Sequence, residues 1–257
     1  MGVVMKKLAL FLLACLWGSV GVAMSAKSRG IGLGVGTLAI MGLVDYKRHK
    51  NIEPLKPVDE VKVKSRLQNL YDRGLLRPKP DNIALSYGSE FGVHGSIKPI
   101  LYVEKDVIFD EFTALHEAKH INGIHTVSNA LIVPVAFFIA FRKGLPPSFQ
   151  CCLLRIGGAK IFSDSVEFFK TKYNERVADT HAAENCSDAT TFRDSIVKYK
   201  DNEIGWINRW QQKYNVSEAT AKKIAYLRDP HFPLTEYRAD RLQRIYNRRV
   251  AEGSLVE

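Results

Sequence analysis

Residues 116–120 read HEAKH. On an α-helix, positions i and i+4 share a face, so His116 and His120 can offer two imidazoles to one metal ion. Glu117 stands about 100° further around the helix, within reach of a water held by that ion. Zinc brings the pKa of such a water to near neutrality. A neighbouring carboxylate can take the proton and pass it to a leaving amine, which is the chemistry of peptide hydrolysis. Two histidines at this spacing also occur on plain solvated helices. Two neighbours favour a site: the apolar residues Phe109, Phe112 and Leu115, and a strand-like segment at 97–103 whose edge could take an extended peptide. Lys119 counts against it, as a charge inside the motif.

A catalytic zinc ion usually has three protein ligands and an open position. The motif continues as HINGIHT, so Gly123 fits the metzincin spacing but Thr126 stands where that spacing needs histidine. The metzincin reading is rejected, and His125 is read as a polar residue at the helix end. A glutamate from a second helix is the other route. In YNERVADTHA, residues 173–182, Asp179 follows Glu175 by one helical turn. Glu175 is then the third ligand, and Asp179 hydrogen-bonds the far nitrogen of a ligand histidine and fixes its tautomer. Glu236, in EYRAD, ranks second for the ligand position. His181 is expected to face solvent, and His231 could polarise a substrate carbonyl. Cys186 and the pair Cys151 and Cys152 read as core or surface residues, and Trp206 and Trp210 as core packing.

These residues need helices and a sheet to place them. Residues 58–71 have helical spacing, with Val61, Leu67 and Leu70 available for one face. Segments 83–87 and 97–103 read as strands around a glycine-rich loop. Asp110 is a plausible N-cap for a helix to about Asn122. From Ile161 the pattern is mostly helical. Ser217 caps a helix to Leu227, and a last helix ends near Val250 after the break at 229–233.

The chain has 257 residues, four cysteines without a CxxC, and a formal charge of +10. Its composition argues against a disordered chain, a collagen-like repeat or a bundle made only of spans, and the cysteines are too few for a disulfide framework. No nucleic-acid motif accompanies the basic excess, so nucleic acid is not an expected partner; the excess suits membrane lipid as a partner, through contact with anionic headgroups, or a plain solvated surface. The first 50 residues hold two apolar runs, 8–24 and 30–44, flanked by Lys6, Lys7 and the basic cluster at 47–50. They suit a membrane anchor or hairpin with the remainder on the cytoplasmic side. The alternative is a cleaved signal peptide and export. A third apolar stretch, 127–141, is short for a span and suits a buried or re-entrant helix.

HEAKH followed by NERVAD resembles the membrane zinc peptidases that include the CAAX prenyl protease and the heat-shock protease HtpX, whose pattern is HExxH on one helix and ExxAD on a later one. The resemblance covers roughly residues 83–245. It implies His116, His120 and Glu175 as ligands of one Zn2+ per chain, Glu117 as general base and Asp179 behind the ligands. Residues 229–238 look like a distorted form of a late segment in that family, which makes Arg238 an active-site or structural candidate. Lys119, an absent Asn-Ala segment near 83–95 and the short apolar stretch between the motifs depart from the pattern.

The expectation is therefore an α+β, mostly helical, zincin-like domain over 51–257, with a small sheet beside the HExxH helix and a membrane or signal region over 1–50. The expected activity is that of a membrane-associated zinc endopeptidase acting on protein or peptide. One rival is a non-catalytic relative that serves as a membrane-bound binding module. Another is a basic module on anionic membranes in which HEAKH is accidental.

Overall fold

The computed structural model describes residues 52–89, 91–94, 99–123, 139, 149–228 and 238–255. The apolar runs at 8–24 and 30–44, most of 127–141, and His125, His231 and Glu236 lie outside the described residues. The chain divides into two compact units, Met1–Val44 with Val127–Glu167 and Asp45–Thr126 with Phe168–Glu257. The fold is mostly helical with one three-stranded sheet, an α+β arrangement as expected. Among the described residues, no helix is long and apolar enough to cross a membrane.

Helix α1 (Pro57–Asp72) starts on a proline, whose fixed φ suits the first helical position. It buries Val63, Leu67 and Leu70, which recur at i, i+4 and i+7 along one stripe. Val61, expected on that stripe, is 67% exposed: six residues before Leu67 it lies well around the helix from it. Gly74 ends the helix with φ +72°, the left-handed conformation that glycine adopts without a Cβ clash.

Strands β1 (Ala84–Gly88), β2 (Gly92–His94) and β3 (Ile100–Glu104) form a sheet in the order β1-β3-β2. β1 pairs with β3 in parallel, Ala84 opposite Ile100, and β2 pairs with β3 antiparallel, Gly92 opposite Tyr102. β3 is thus the middle strand, and the expected edge for an extended peptide is not on it. The glycine-rich segment read as a loop supplies the strand β2 that covers it. Any free edge lies on β1 or β2, and β1 is partly covered already, since the Tyr87 N–H donates to Glu53 O at 2.9 Å.

Helix α2 (Glu111–Asn122) carries HEAKH. Asp110 caps it as predicted, accepting from the Thr113 N–H at 2.7 Å. Its far end is pinned by Asn122, which donates to Leu75 O at 2.7 Å and accepts from the Arg77 N–H at 2.7 Å. At its start, the buried Glu111 accepts from Arg73 at 2.6 Å and from the Ser187 and Asp188 N–H groups at 3.0 and 3.2 Å. Arg73 and Ser187 hold the Glu111 carboxyl below its ordinary pKa although burial pushes it up. One buried carboxylate therefore ties α2 to the turn between the next two helices.

Helix α3 (Phe149–Asn185) is 37 residues long and carries NERVAD in its last part. Two arginines satisfy its terminal carbonyls. Arg249 donates to Ala183 O and Cys186 O, both at 2.7 Å, and Arg73 donates to Asn185 O at 2.8 Å. The Cys186 thiol is buried, with its pKa pushed up to about 12 by burial and by Glu111, so it is not a nucleophile. Helix α4 (Ala189–Tyr214) buries Ala189, Phe192, Ile196 and Ile207 at helical spacing.

Helix α5 (Glu218–Arg228) begins where Ser217 Oγ accepts from the Thr220 N–H at 3.3 Å. It packs Ala221 and Ala225 on Ile207. Helix α6 (Arg238–Ala251) closes the core with Leu242 and Tyr246. Phe112 of α2 stacks on Phe192 of α4, which meets Tyr246 of α6 edge to face, with ring centroids 5.4 Å apart at each step. These rings set the distance between α2 and the helices behind it. Trp206, expected in the core, is 37% exposed, whereas Trp210, on which it stacks, packs against the Ile207, Ala221 and Ala225 cluster as expected.

Candidate metal centre

The structure brings His116, His120 and Glu175 together. One ligand atom from each lies within 4.8 Å of the others, a grouping that could hold a metal ion. The two histidine Nε2 atoms are 3.1 Å apart. Glu175 reaches His116 Nε2 with Oε2 at 3.5 Å and His120 Nε2 with Oε1 at 3.4 Å. Side-chain exposure is 8% at His116, 17% at His120 and 15% at Glu175, so the cluster is sunk but not sealed.

Two of the three candidate ligands, His116 and Glu175, are held from behind. Asp179, fully buried, places Oδ1 3.0 Å from His116 Nδ1. This turns Nε2 toward the cluster, as the Glu175-to-Asp179 spacing predicts. Asp179 also accepts from Arg238 Nε at 2.7 Å and Nη2 at 2.6 Å, and from Arg241 Nη2 at 2.9 Å. Arg238 Nη2 continues to Glu175 Oε2 at 3.3 Å and to the Tyr199 hydroxyl at 3.1 Å. The Arg238 guanidinium also lies over the Tyr199 ring, 4.2 Å from its centroid. The arginine thus braces a candidate ligand and the residue behind another ligand at once.

The charges follow from this packing. Burial pushes the Asp179 carboxyl up, but Arg238 and His116 outweigh it and hold the group ionised. Burial opposes a charge on His116, yet Tyr199, Asp179 and Glu175 raise it well above the usual imidazole range. Glu117 is 5% exposed and its pKa is raised, chiefly by burial. Its Oε2 is buried without a hydrogen-bond partner. A buried carboxylate oxygen left unpaired is costly. It fits a site completed by a species that the protein chain does not itself supply.

Sequence reasoning missed three members of this centre. Arg241 reaches Asp179 from α6, while Tyr199 and Glu203 come from α4. Glu203 accepts from the Arg238 N–H at 2.6 Å and so caps the first turn of α6. A signal was present: Ala189, Phe192, Ile196, Tyr199, Glu203 and Ile207 recur at spacings of three and four. A glutamate in the register of a buried stripe needs a partner. Lys119 and His181 were not expected to meet, yet both line one cavity. His181 is half-buried rather than solvated.

Burial raises the Glu203 carboxyl from 4.5 to about 7, against the lowering effect of the Arg238 N–H. A carboxyl raised in the folded state binds its proton more tightly there than when unfolded. The cost of burying its charge is therefore full above pH 7 and disappears as pH falls toward 4.5. Glu203→Gln keeps an acceptor for the cap and removes the charge. It is expected to stabilise the protein at pH 8 by an amount on the order of 3 kcal/mol, with the gain vanishing near pH 4.5. Urea unfolding of both proteins at the two pH values measures this; a destabilised variant at pH 8 would mean that the charged cap outweighs burial.

No known family pattern, characterised protein or solved structure matches this chain. The functional reading therefore rests on the site.

Proposed function

We propose that the chain is a zinc-dependent endopeptidase with a zincin-like domain, with His116, His120 and Glu175 as the metal ligands and Glu117 as the general base. The observation that carries this reading is the spacing of the three donor atoms. A tetrahedral zinc ion with ligands at about 2.0–2.2 Å separates them by about 3.3–3.6 Å. The three separations here are 3.1, 3.4 and 3.5 Å. Two imidazoles and one carboxylate are the donor set of catalytic zinc, with a fourth position left for water or substrate. The unpaired oxygen of Glu117 and the braced Asp179 fit the same reading.

Bound there, zinc supplies a Lewis acid and brings a coordinated water near neutral pKa. Glu117 takes a proton from the attacking water as its oxygen bonds to the peptide carbonyl carbon. The carbon–nitrogen bond then breaks, and Glu117 passes the proton to the departing amine. Asp179 keeps His116 turned inward, and Arg238 holds Asp179 and Glu175 in place. The apolar runs near the N-terminus support an assignment to a membrane, with the peptidase domain on the cytoplasmic side. A signal peptide and export remain the alternative assignment.

Purified full-length protein incubated with a mixture of unstructured peptides tests the activity. Cleavage is expected, abolished by a chelator and restored by stoichiometric zinc. Zinc-loaded protein that cleaves nothing would favour a second reading, a metal-holding binding module, for which the charged Lys119 inside the motif speaks.

A further inference from the structure

The C-terminal end of α4 carries an aromatic ladder. Trp206, Trp210 and Tyr214 follow one another at four-residue spacing and so share one side of the helix. The rings of Trp206 and Trp210 stack with centroids 6.4 Å apart. Those of Trp210 and Tyr214 stack at 5.4 Å, with planes 8° from parallel. Trp210 fixes the ladder to the fold, because it packs against Ile207, Ala221 and Ala225. The two outer rings reach solvent: Trp206 is 37% and Tyr214 40% exposed. Two of the chain's three tryptophans thus sit in a rigid stack at the surface, and a clustered exposure of large apolar groups marks a contact surface.

Two cations belong to the ladder. Arg209 lies over the Trp206 ring, 4.7 Å from its centroid. Lys213 Nζ lies 5.3 Å from the Trp210 centroid and 5.4 Å from that of Tyr214. Both side chains are exposed, and neither has an acidic partner among the described residues. The surface therefore offers positive charge to an anionic partner. Nucleic acid would use aromatic residues by stacking bases on open ring faces, but these rings already stack on one another and carry the cations on their faces. What a stacked indole or phenol leaves to solvent is its rim, apolar carbon with one polar N–H or O–H. Tryptophan and tyrosine collect at the headgroup level of a bilayer because of that mixed character. Lysine and arginine there lay their stems on apolar surface and hold their charges at the lipid phosphates. The net charge of +10 favours the same partner.

We infer that this end of α4 is a docking surface for an anionic phospholipid bilayer, with Trp206 and Tyr214 at the headgroup level and Arg209 and Lys213 on the lipid phosphates. The inference rests on the proposed assignment of the chain to a membrane and is independent of the metal centre. It adds a contact of the peptidase domain itself to the anchor assigned to the N-terminal runs, on the cytoplasmic side, where the leaflet is anionic.

Full-length protein reconstituted in phosphatidylcholine vesicles, with or without phosphatidylserine, tests this. The readout is tryptophan quenching by lipids brominated near the headgroup end of the acyl chain. Trp17 lies in the first apolar run and reports the anchor, and Trp17→Phe leaves only the two tryptophans of the ladder. In Trp17→Phe protein, emission is expected to be quenched in vesicles containing phosphatidylserine and to recover at high salt. Adding Arg209→Gln and Lys213→Gln is expected to lower the ratio of docked to free ladder about 30-fold, since each basic side chain at an anionic surface contributes about fivefold. Both positions are exposed, and the reading on Trp17→Phe alone needs no change in α4. Quenching that is as strong without phosphatidylserine, or that survives loss of both cations, overturns the inference. A ladder left unquenched in Trp17→Phe protein, while the wild type is quenched through Trp17, overturns it and leaves the membrane assignment standing. If the wild type is unquenched as well, the membrane assignment falls with it. An unquenched ladder that instead binds single-stranded DNA, and loses it with Arg209 and Lys213, gives the surface to nucleic acid and overturns the inference.

Discussion

Glu117→Gln is expected to lower peptide hydrolysis by about 10²–10⁴-fold, the usual contribution of a general base, while leaving zinc content unchanged. The expectation follows from position. Glu117 stands on α2 between the two histidines, 5% exposed, with one oxygen that no described residue satisfies. Packing alone gives no reason to keep an unpaired carboxylate there, since burying it costs stability. Glutamine matches its size and removes both its charge and its basicity. The variant should therefore be as stable as the wild type or more so, with binding of peptide retained and kcat lost. Steady-state kinetics and metal analysis on the same preparations check this. An unchanged kcat would remove Glu117 from the chemistry.

The second large effect concerns Asp179. Its carboxylate is fully buried and meets Arg238, Arg241 and His116 together. Removing Asp179 takes the buried counter-charge away from Arg238, Arg241 and His116 at once. Breaking a buried pair typically costs about 3–5 kcal/mol, a large share of the roughly 5–15 kcal/mol that holds a domain together. Asp179→Ala is expected to lower unfolding stability by that amount at neutral pH. It should also weaken metal binding by about 10–100-fold, because His116 loses its support.

The pH dependence has a definite sign. The Asp179 pKa is lowered in the folded protein from an ordinary 3.8. Its contribution is therefore present above that value and is lost as pH falls through the lower, folded one. A contrast lies on the surface: Arg248 pairs with Glu184 at 2.5 Å, but its side chain is 50% exposed. Arg248→Ala is expected to cost less than about 1 kcal/mol. Equal urea midpoints for the Asp179 and Arg248 variants would contradict the network.

What the sequence made legible was local. His116, Glu117 and His120 share a few residues of one helix, and Glu175 and Asp179 share one turn of another, so helical geometry alone arranges each set. The N-caps Asp110 and Ser217 were readable for the same reason. Contacts made across the fold were not. Tyr199, Glu203 and Arg241 join the centre only because α4 and α6 pack around α2, and periodicity marks such residues as buried without naming their partners. The sheet shows the same limit. Two strands were visible from β-branched and aromatic residues, but strand order depends on β2, three residues inside a glycine-rich segment. The exchange of Val61 for Val63 on α1 is a phase error, in which an apolar residue was assigned to a stripe that its spacing does not reach.

The central claim is a metal site made by His116, His120 and Glu175. Elemental analysis of the full-length protein, purified in detergent without chelator and offered zinc, tests it most directly. One zinc per chain is expected, lost in His116→Ala and Glu175→Ala and kept in Glu236→Ala and Glu117→Gln. Zinc that survives Glu175→Ala but not Glu236→Ala would move the third ligand, and a wild-type protein that binds no zinc would contradict the account.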